Sequence, residues 1–242
     1  MAAGSPWLTV LSVEAPFTRF KKSGAPDDLI EQWSQSFVAH LIRERLFDKP
    51  CLLMGYSIGG ILLKQTIVDL GAFDVDLYIK RRSINLQLLI FMGVPHRGTE
   101  WAKIPLKFFG VGPTQAVLDL KPDSRLLKML NTRFVAGANK LRYLKIVSVH
   151  ETLFPNLKEQ FEWDSKDKNS ALSRVINLRP ALQPIVTPDS AILGLPQEEV
   201  IVAESSHHGL ARMNYPSRKT ILAALSKVVS KFAPGSSPGL IK

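Results

Sequence analysis

Apolar residues along this chain fall either at helical spacing or in short continuous runs, and the alternation of the two predicts alternating helices and strands. Leu29, Trp33, Phe37 and Leu41 recur every fourth position with Ile30, Val38 and Ile42 beside them, an apolar stripe on one helix face. Asp28 and Glu31 stand at capping-box spacing before it. Asp48-Lys49-Pro50 closes it, because proline disfavours helical geometry in the residue it follows. Cys51 to Met54 is continuously apolar, the mark of a strand buried on both faces. Past a glycine-bounded turn, Ile61, Leu62, Leu63, Ile67, Val68 and Leu70 form a helix apolar nearly all round, as expected against a central sheet. Leu86 to Met92 is the next strand, and the loop Gly93-Val94-Pro95-His96-Arg97-Gly98 follows it.

Farther on, residues 113–136 read as helical, with Leu126, Leu127, Leu130 and Phe134 on one stripe, and Leu144 to Val149 as a strand. A polar, irregular stretch over 156–183 predicts a surface insertion. Glu199 to Ala203 gives a last strand, and 217–232 a closing helix. The Pro-, Gly- and Ser-rich tail 233–242 predicts disorder, and residues 7–13 a short opening strand. Strand and helix alternate throughout, so a single α/β domain over 1–232 is expected, its sheet mostly parallel with helices on both faces.

Composition narrows this picture. With 242 residues, 45% of them hydrophobic and 21% charged, the chain suits one soluble domain with a large core. No apolar run reaches the roughly 18 residues a spanning helix needs. Trp7 to Val13 has no basic residue before it and Glu14 directly after, a poor signal peptide. An intracellular, cytoplasmic protein is expected, with peripheral membrane or mitochondrial association left open. Cys51 is the single cysteine, so no internal disulfide can form, and its apolar run assigns it to packing. No spacing of ligating residues calls for a metal or a cofactor.

Thirty-one Lys and Arg against 21 Asp and Glu leave a charge of +10, which could draw the protein to anionic lipid or nucleic acid. The basic residues are scattered, however, and the densest groups are Lys21-Lys22 and Lys80-Arg81-Arg82. Without aromatic interleaving or zinc-finger spacing, nucleic acid is not an expected partner. Loose contact with anionic membrane stays open, and the sequence sets no oligomeric state.

The candidate chemistry lies in Gly55-Tyr56-Ser57-Ile58-Gly59. A Gly-x-Ser-x-Gly pentapeptide alone is weak, and a serine there could simply cap the following helix. Between a buried strand and an apolar helix it has the setting of a nucleophile elbow. The tight turn strains the serine backbone, glycines two residues either side make room for strand and helix, and the hydroxyl projects above the sheet edge. The helix N-terminus favours developing negative charge, and the N–H of Ile58 can donate to an oxyanion.

These residues resemble a known family. Gly55 to Gln65 is similar to the "GHSLGGLVVKQ" stretch of the serine-active-site-containing protein family, lipase-like α/β-hydrolases abundant in fungi, where the domain often precedes NACHT-type modules. Phe91 to Thr99 resembles that family's "FFGTPHRGS" loop. Asp123-Ser124 with Leu126, Leu127, Leu130 and Phe134 resembles its "DSxxLxxLxxxF" helix. Pro184 to Gly194 is similar to "IVPxxSAxLG", and His207 to Met213 to "HSGMAKF". The matches are collinear over roughly residues 50–215.

The resemblance implies an α/β-hydrolase fold and a Ser, acid, His order. His207 falls on the family's histidine, and a one-residue shift would substitute His208. Glu151 matches the family's Glu in "FxET", through Val149-His150-Glu151-Thr152; Asp189, in a proline-bounded loop, is the rival acid. His96 precedes the acid in chain order and is expected, with Tyr56 and Pro95, to shape the site rather than act as base. His40 and His150 have no motif support.

Three departures accompany the match. The family's His-Gly oxyanion loop has no counterpart before Gly55, where the earlier glycines are Gly4 and Gly24, and the first 49 residues are few for the usual opening strands. An N-terminally truncated chain and a chain lacking the second oxyanion donor are both open, and either predicts an exposed sheet edge. Tyr56 replaces the usual His of the elbow, and Ser206 the Asp that often precedes the histidine. The implied activity is cleavage of an acyl ester or lipid by Ser57, His207 and Glu151 through an acyl-enzyme. The alternative is a non-catalytic or weakly active interaction or signalling domain on the same fold.

Overall fold

The computed structural model describes residues 29–72, 84–103, 119–141, 144–154, 183–212 and 218–230. Helix α1 (Leu29–Arg43) leads through a short 3-10 turn (Leu46–Asp48) to β1 (Cys51–Tyr56) and then α2 (Ile58–Ala72). Strand β2 (Leu86–Met92), a second 3-10 turn (Glu100–Lys103), α3 (Arg125–Ala138) and β3 (Lys145–Glu151) follow. The short helix α4 (Pro188–Ala191), β4 (Glu198–Ala203), α5 (His207–Arg212) and α6 (Arg218–Ser230) complete the described order. The expected strand at 7–13, the tail at 233–242 and nearly all of the insertion at 156–183 lie outside the described residues.

The four strands form one sheet in the order β1-β2-β3-β4, every pair parallel. Side chains of a strand alternate between faces, and the two cores follow that alternation. Leu89, Phe91 and Ile146 join residues of α1, α2 and α3 in the larger core, whereas Leu88, Ile90, Met92, Val147 and Val149 meet Ile201, Ala203 and Leu210 of α5 on the other face. Leu86 belongs with Leu89 and Phe91 despite its even number, because the β1–β2 register slips at Gln87: Cys51 pairs with Leu86 but Leu52 with Leu88. Helices cover both faces, α1, α2 and α3 on one side and α5 on the other, with α6 beside β4. No described helix is long and apolar enough to cross a membrane.

Several elements differ from the sequence expectation. Strand β1 is half-buried, with Met54 48% exposed, because in the described sheet it has a neighbour on one side; β2 and β3 are the strands enclosed on both faces. Burial nevertheless pushes the Cys51 thiol up to about 11. Helix α1 ends at Arg43, well before Pro50, and Arg45 takes a left-handed φ of 56° that starts the 3-10 turn. Helix α3 begins at Arg125, not 113. Residues 119–124 are not helical, since Asp123 is left-handed (φ 64°) and Ser124 caps the helix by accepting from the Leu127 N–H. Residues 113–118 lie outside the described set. Along α2, the apolar positions are accompanied by fully or nearly buried Lys64, Gln65, Thr66 and Asp69. Asp69 accepts from Ser34 of α1 and from Gln65 (2.8 Å), a polar tie inside the helix pair.

Candidate active site

At the end of β1 the chain turns so sharply into α2 that Ser57 adopts φ 52°, a conformation an L-residue holds only when its surroundings enforce it. Its N–H donates to the Met92 carbonyl at 2.9 Å, which ties the turn to the end of β2. A Cβ on Gly55 would stand 2.6 Å from the Gly60 Cα, so the strand and helix backbones touch there. The sequence reading assigned the second close approach to Gly59, but a Cβ at Gly59 would meet nothing within 4 Å. At Gly60 it would lie 2.2 Å from a Val94 methyl, because Gly60 faces the loop after β2. At the first helical position, the N–H of Ile58 has no intrahelical acceptor and points out of the helix N-terminus.

Ser57, Glu151 and His207 come together above the carboxyl ends of the strands. Ser57 Oγ lies 3.0 Å from His207 Nε2, and His207 Nδ1 lies 3.0 Å from Glu151 Oε1. Glu151 is the last residue of β3 and is fully buried; His207, the first of α5, is 5% exposed. A proton on Nδ1, donated to the carboxylate, leaves Nε2 free to accept from the serine hydroxyl, and that tautomer satisfies both contacts. The same Glu151 Oε1 accepts the Val186 N–H at 2.8 Å, while Oε2 is buried without a hydrogen-bond partner among the described residues. A main-chain donor on one oxygen therefore selects which oxygen meets the imidazole. The left-handed Gly93 (φ 56°) leaves the space these groups occupy: a Cβ there would lie 2.9 Å from His207 Nδ1 and 3.0 Å from Glu151 Oε2.

The remaining candidates occupy other places. His208 is exposed, its ring edge-on to that of His207 with 6.1 Å between centroids, and His207 is the histidine that reaches Ser57. Asp189 is exposed in the first turn of α4, so Glu151 is the carboxylate on the imidazole. Tyr56 donates its hydroxyl to the His207 carbonyl at 3.1 Å and lays its ring 4.9 Å from the imidazole. Burial, reinforced by the Glu151 carboxylate and opposed by Arg212, holds the phenol far above its ordinary range, so it remains a donor.

The His96 ring is buried, edge-on to Phe91, and among the described residues neither of its nitrogens has a hydrogen-bond partner. Burial first, then the Lys64 and Arg97 charges, keep its imidazole well below the usual value and thus neutral. Its main chain does the tying: the N–H donates to Ser190 O (2.9 Å), and the carbonyl accepts from Asn131 (2.9 Å). Pro95 is buried, and its carbonyl accepts from the Gly98 N–H at 3.1 Å.

Sequence reasoning missed two features of this neighbourhood. One is the Val186 N–H, a main-chain group that no residue type announces. The other is Lys64, fully buried on α2, whose amine donates to Asn131 of α3 and lies 5.5 Å from the centre of the Phe134 ring. Burial, with Arg97 nearby, lowers that amine from 10.5 to about 7. Both lie in segments that resemble the family, Gly55 to Gln65 and Pro184 to Gly194, yet the resemblance implies no role for either group. Among the described residues, no group of His, Cys, Asp and Glu is placed to hold a metal ion.

No family model matches the chain. Over 165 residues it is 30% identical to Protein SERAC1 of Danio rerio, covering 63% of this chain and 24% of that protein. Over 112 residues it is 29% identical to Protein SERAC1 of Bos taurus, covering 44% of this chain and 16% of that protein. The chain thus matches a quarter or less of the length of these curated relatives. Among solved structures it is similar to the mature form of the Bacillus licheniformis lipase BlEst2, with a TM-score of 0.54 at 15% identity, over 81% of this chain and 74% of that one. Together with the parallel sheet and its two helical layers, this likeness shows an α/β-hydrolase fold.

Proposed function

We propose that the protein is a serine hydrolase that cleaves an acyl ester or lipid. The reading is carried by one observation, the continuous contact of Ser57 Oγ with His207 Nε2 and of His207 Nδ1 with Glu151 Oε1, at 3.0 Å each. Ser57 Oγ attacks the acyl carbonyl while His207 Nε2 takes its proton, and Glu151 steadies the imidazolium that results. The oxyanion of the tetrahedral intermediate accepts from the Ile58 N–H at the α2 N-terminus. Collapse breaks the ester C–O bond, and His207 returns the proton to the departing alcohol. Water then attacks the acyl-enzyme with the same imidazole as base, releasing the acid and restoring Ser57. The solved neighbour BlEst2 is a lipase, which agrees with this substrate class. A charge of +10 extends the proposal to peripheral contact with an anionic membrane surface.

A fluorophosphonate probe tests the reading. Covalent labelling of the wild type that vanishes in Ser57→Ala is the expected result; folded wild-type protein that never labels refutes it. A second reading, a weakly active interaction domain, draws on the position of β1 at one edge of the described sheet. A site with one oxyanion donor fewer works about 100- to 1000-fold more slowly, so slow but Ser57-dependent labelling would favour it.

A further inference from the structure

The strap from Ile185 to Leu193 joins no strand of the sheet, yet it delivers the Val186 N–H to Glu151 Oε1. What holds it in register is the loop after β2. Arg97 aims its guanidinium at three main-chain carbonyls of the strap: Asp189 O, Ile192 O at 2.6 Å and Leu193 O at 3.3 Å. Its own N–H donates to Ser190 Oγ at 3.2 Å, and that hydroxyl donates to Gly98 O at 2.6 Å. The Thr99 hydroxyl reaches Ile185 O, one residue before Val186. Beyond the strap, the Glu198 carboxylate accepts the N–H groups of Leu193 (2.9 Å), Gly194 (2.6 Å) and Leu195 (3.2 Å).

Among the described residues Arg97 forms no ion pair, so its fixed fork of donors is given to the carbonyls of one segment. That is the chemistry of a backbone clamp. Val186 itself is 1% exposed, and among the described residues Glu151 Oε2 has no hydrogen-bond partner, so the contacts of Oε1 with the Val186 N–H and His207 fix how the carboxylate is turned. We propose that Arg97 is a positioning residue for the acid: it locks the 185–193 strap so that the Val186 N–H holds Glu151 Oε1 against His207 Nδ1. As far as it concerns catalysis, this rests on the hydrolase reading above.

The test uses the full chain carrying Arg97→Ala or Arg97→Lys, the latter keeping the charge without the planar fork. Two quantities are read: amide hydrogen exchange at Val186, and the fluorophosphonate reaction resolved into its maximal rate and its half-saturating concentration. In Arg97→Ala the Val186 amide is expected to exchange at least about tenfold faster. The maximal rate should fall about 10- to 100-fold with half-saturation unchanged, because the catalytic group is displaced but the binding surface is not. Added guanidinium ion should restore part of that rate, and Arg97→Lys should fall between wild type and alanine. A variant that melts earlier yet keeps wild-type Val186 protection and maximal rate overturns the proposal, since Arg97 would then serve general stability alone. Should the wild type fail to label, the hydrolase reading falls by itself, and Val186 exchange still decides whether Arg97 holds the strap.

Discussion

Replacing Lys64 with methionine should make the protein's stability less dependent on pH, and the size of the effect follows from where the amine sits. Lys64 is fully buried between α2 and α3, and its amine falls from 10.5 to about 7 because burial disfavours the ammonium and Arg97 repels it. Between those two values the unfolded chain binds a proton that the folded chain does not, so stability rises with pH, by about 1.4 kcal/mol per unit. Above the upper value the penalty has gone; below the lower one it is complete, at about 5 kcal/mol for the whole span. Methionine has nearly the same length and no charge. It forfeits the bond to Asn131, a loss of about 1 kcal/mol that does not change with pH. Urea unfolding of both proteins at about pH 7.5 and about pH 9.5 measures the gap between them at each. The gap should move by about 2 to 3 kcal/mol in favour of the wild type at the higher pH, as two units of that slope require. Taking the difference cancels every other titrating group common to the two proteins. An equal gap at both pH values would refute a neutral buried amine, and with it the account of how the helix after Ser57 tolerates a lysine.

The carboxylates give a paired contrast: Glu151→Gln should cut the fluorophosphonate reaction rate about 1000- to 10,000-fold by favouring the wrong imidazole tautomer, whereas exposed Asp189→Asn should label as the wild type does. Gly93→Ala should cost about 1 to 3 kcal/mol in urea unfolding through its left-handed backbone and slow labelling about 100-fold or more. Its methyl would stand 2.9 Å from His207 Nδ1 and 3.0 Å from Glu151 Oε2, and full labelling would show that those groups need not be where they are. Tyr56→Phe removes the donor to the His207 carbonyl; about 1 kcal/mol of stability and less than tenfold in labelling rate are expected, and a larger rate loss would assign the phenol a direct chemical part.

Local rules carried the sequence a long way in this protein. The apolar run Leu86–Met92, interrupted by Gln87, and the mostly apolar Leu144–Val149 suit strands inside a sheet, and β2 and β3 formed there; the apolar stripe after Asp28 became α1. The Gly55–Gly59 turn was equally legible, since a strand that passes into a helix with so few residues must force its central residue into the left-handed region, as Ser57 shows. Propensity misjudged the ends, where a single residue's backbone outweighs the pattern: Asp123 and Arg45 set the start of α3 and the end of α1.

Other choices needed the third dimension. His207 and His208 are neighbours with the same chemistry, and Glu151 and Asp189 are both carboxylates near apolar segments. What separates the histidines is which one reaches Ser57, and what separates the carboxylates is which one reaches His207; both depend on how β3, α5 and the 185–193 strap pack. Gly60 matters more than Gly59 because Val94, distant in sequence, presses on one and not the other. Lys64 and Val186 were invisible for the same reason. A lysine's burial and a main-chain N–H's acceptor are properties of the neighbours supplied by folding, whereas periodicity and turn chemistry belong to the segment alone.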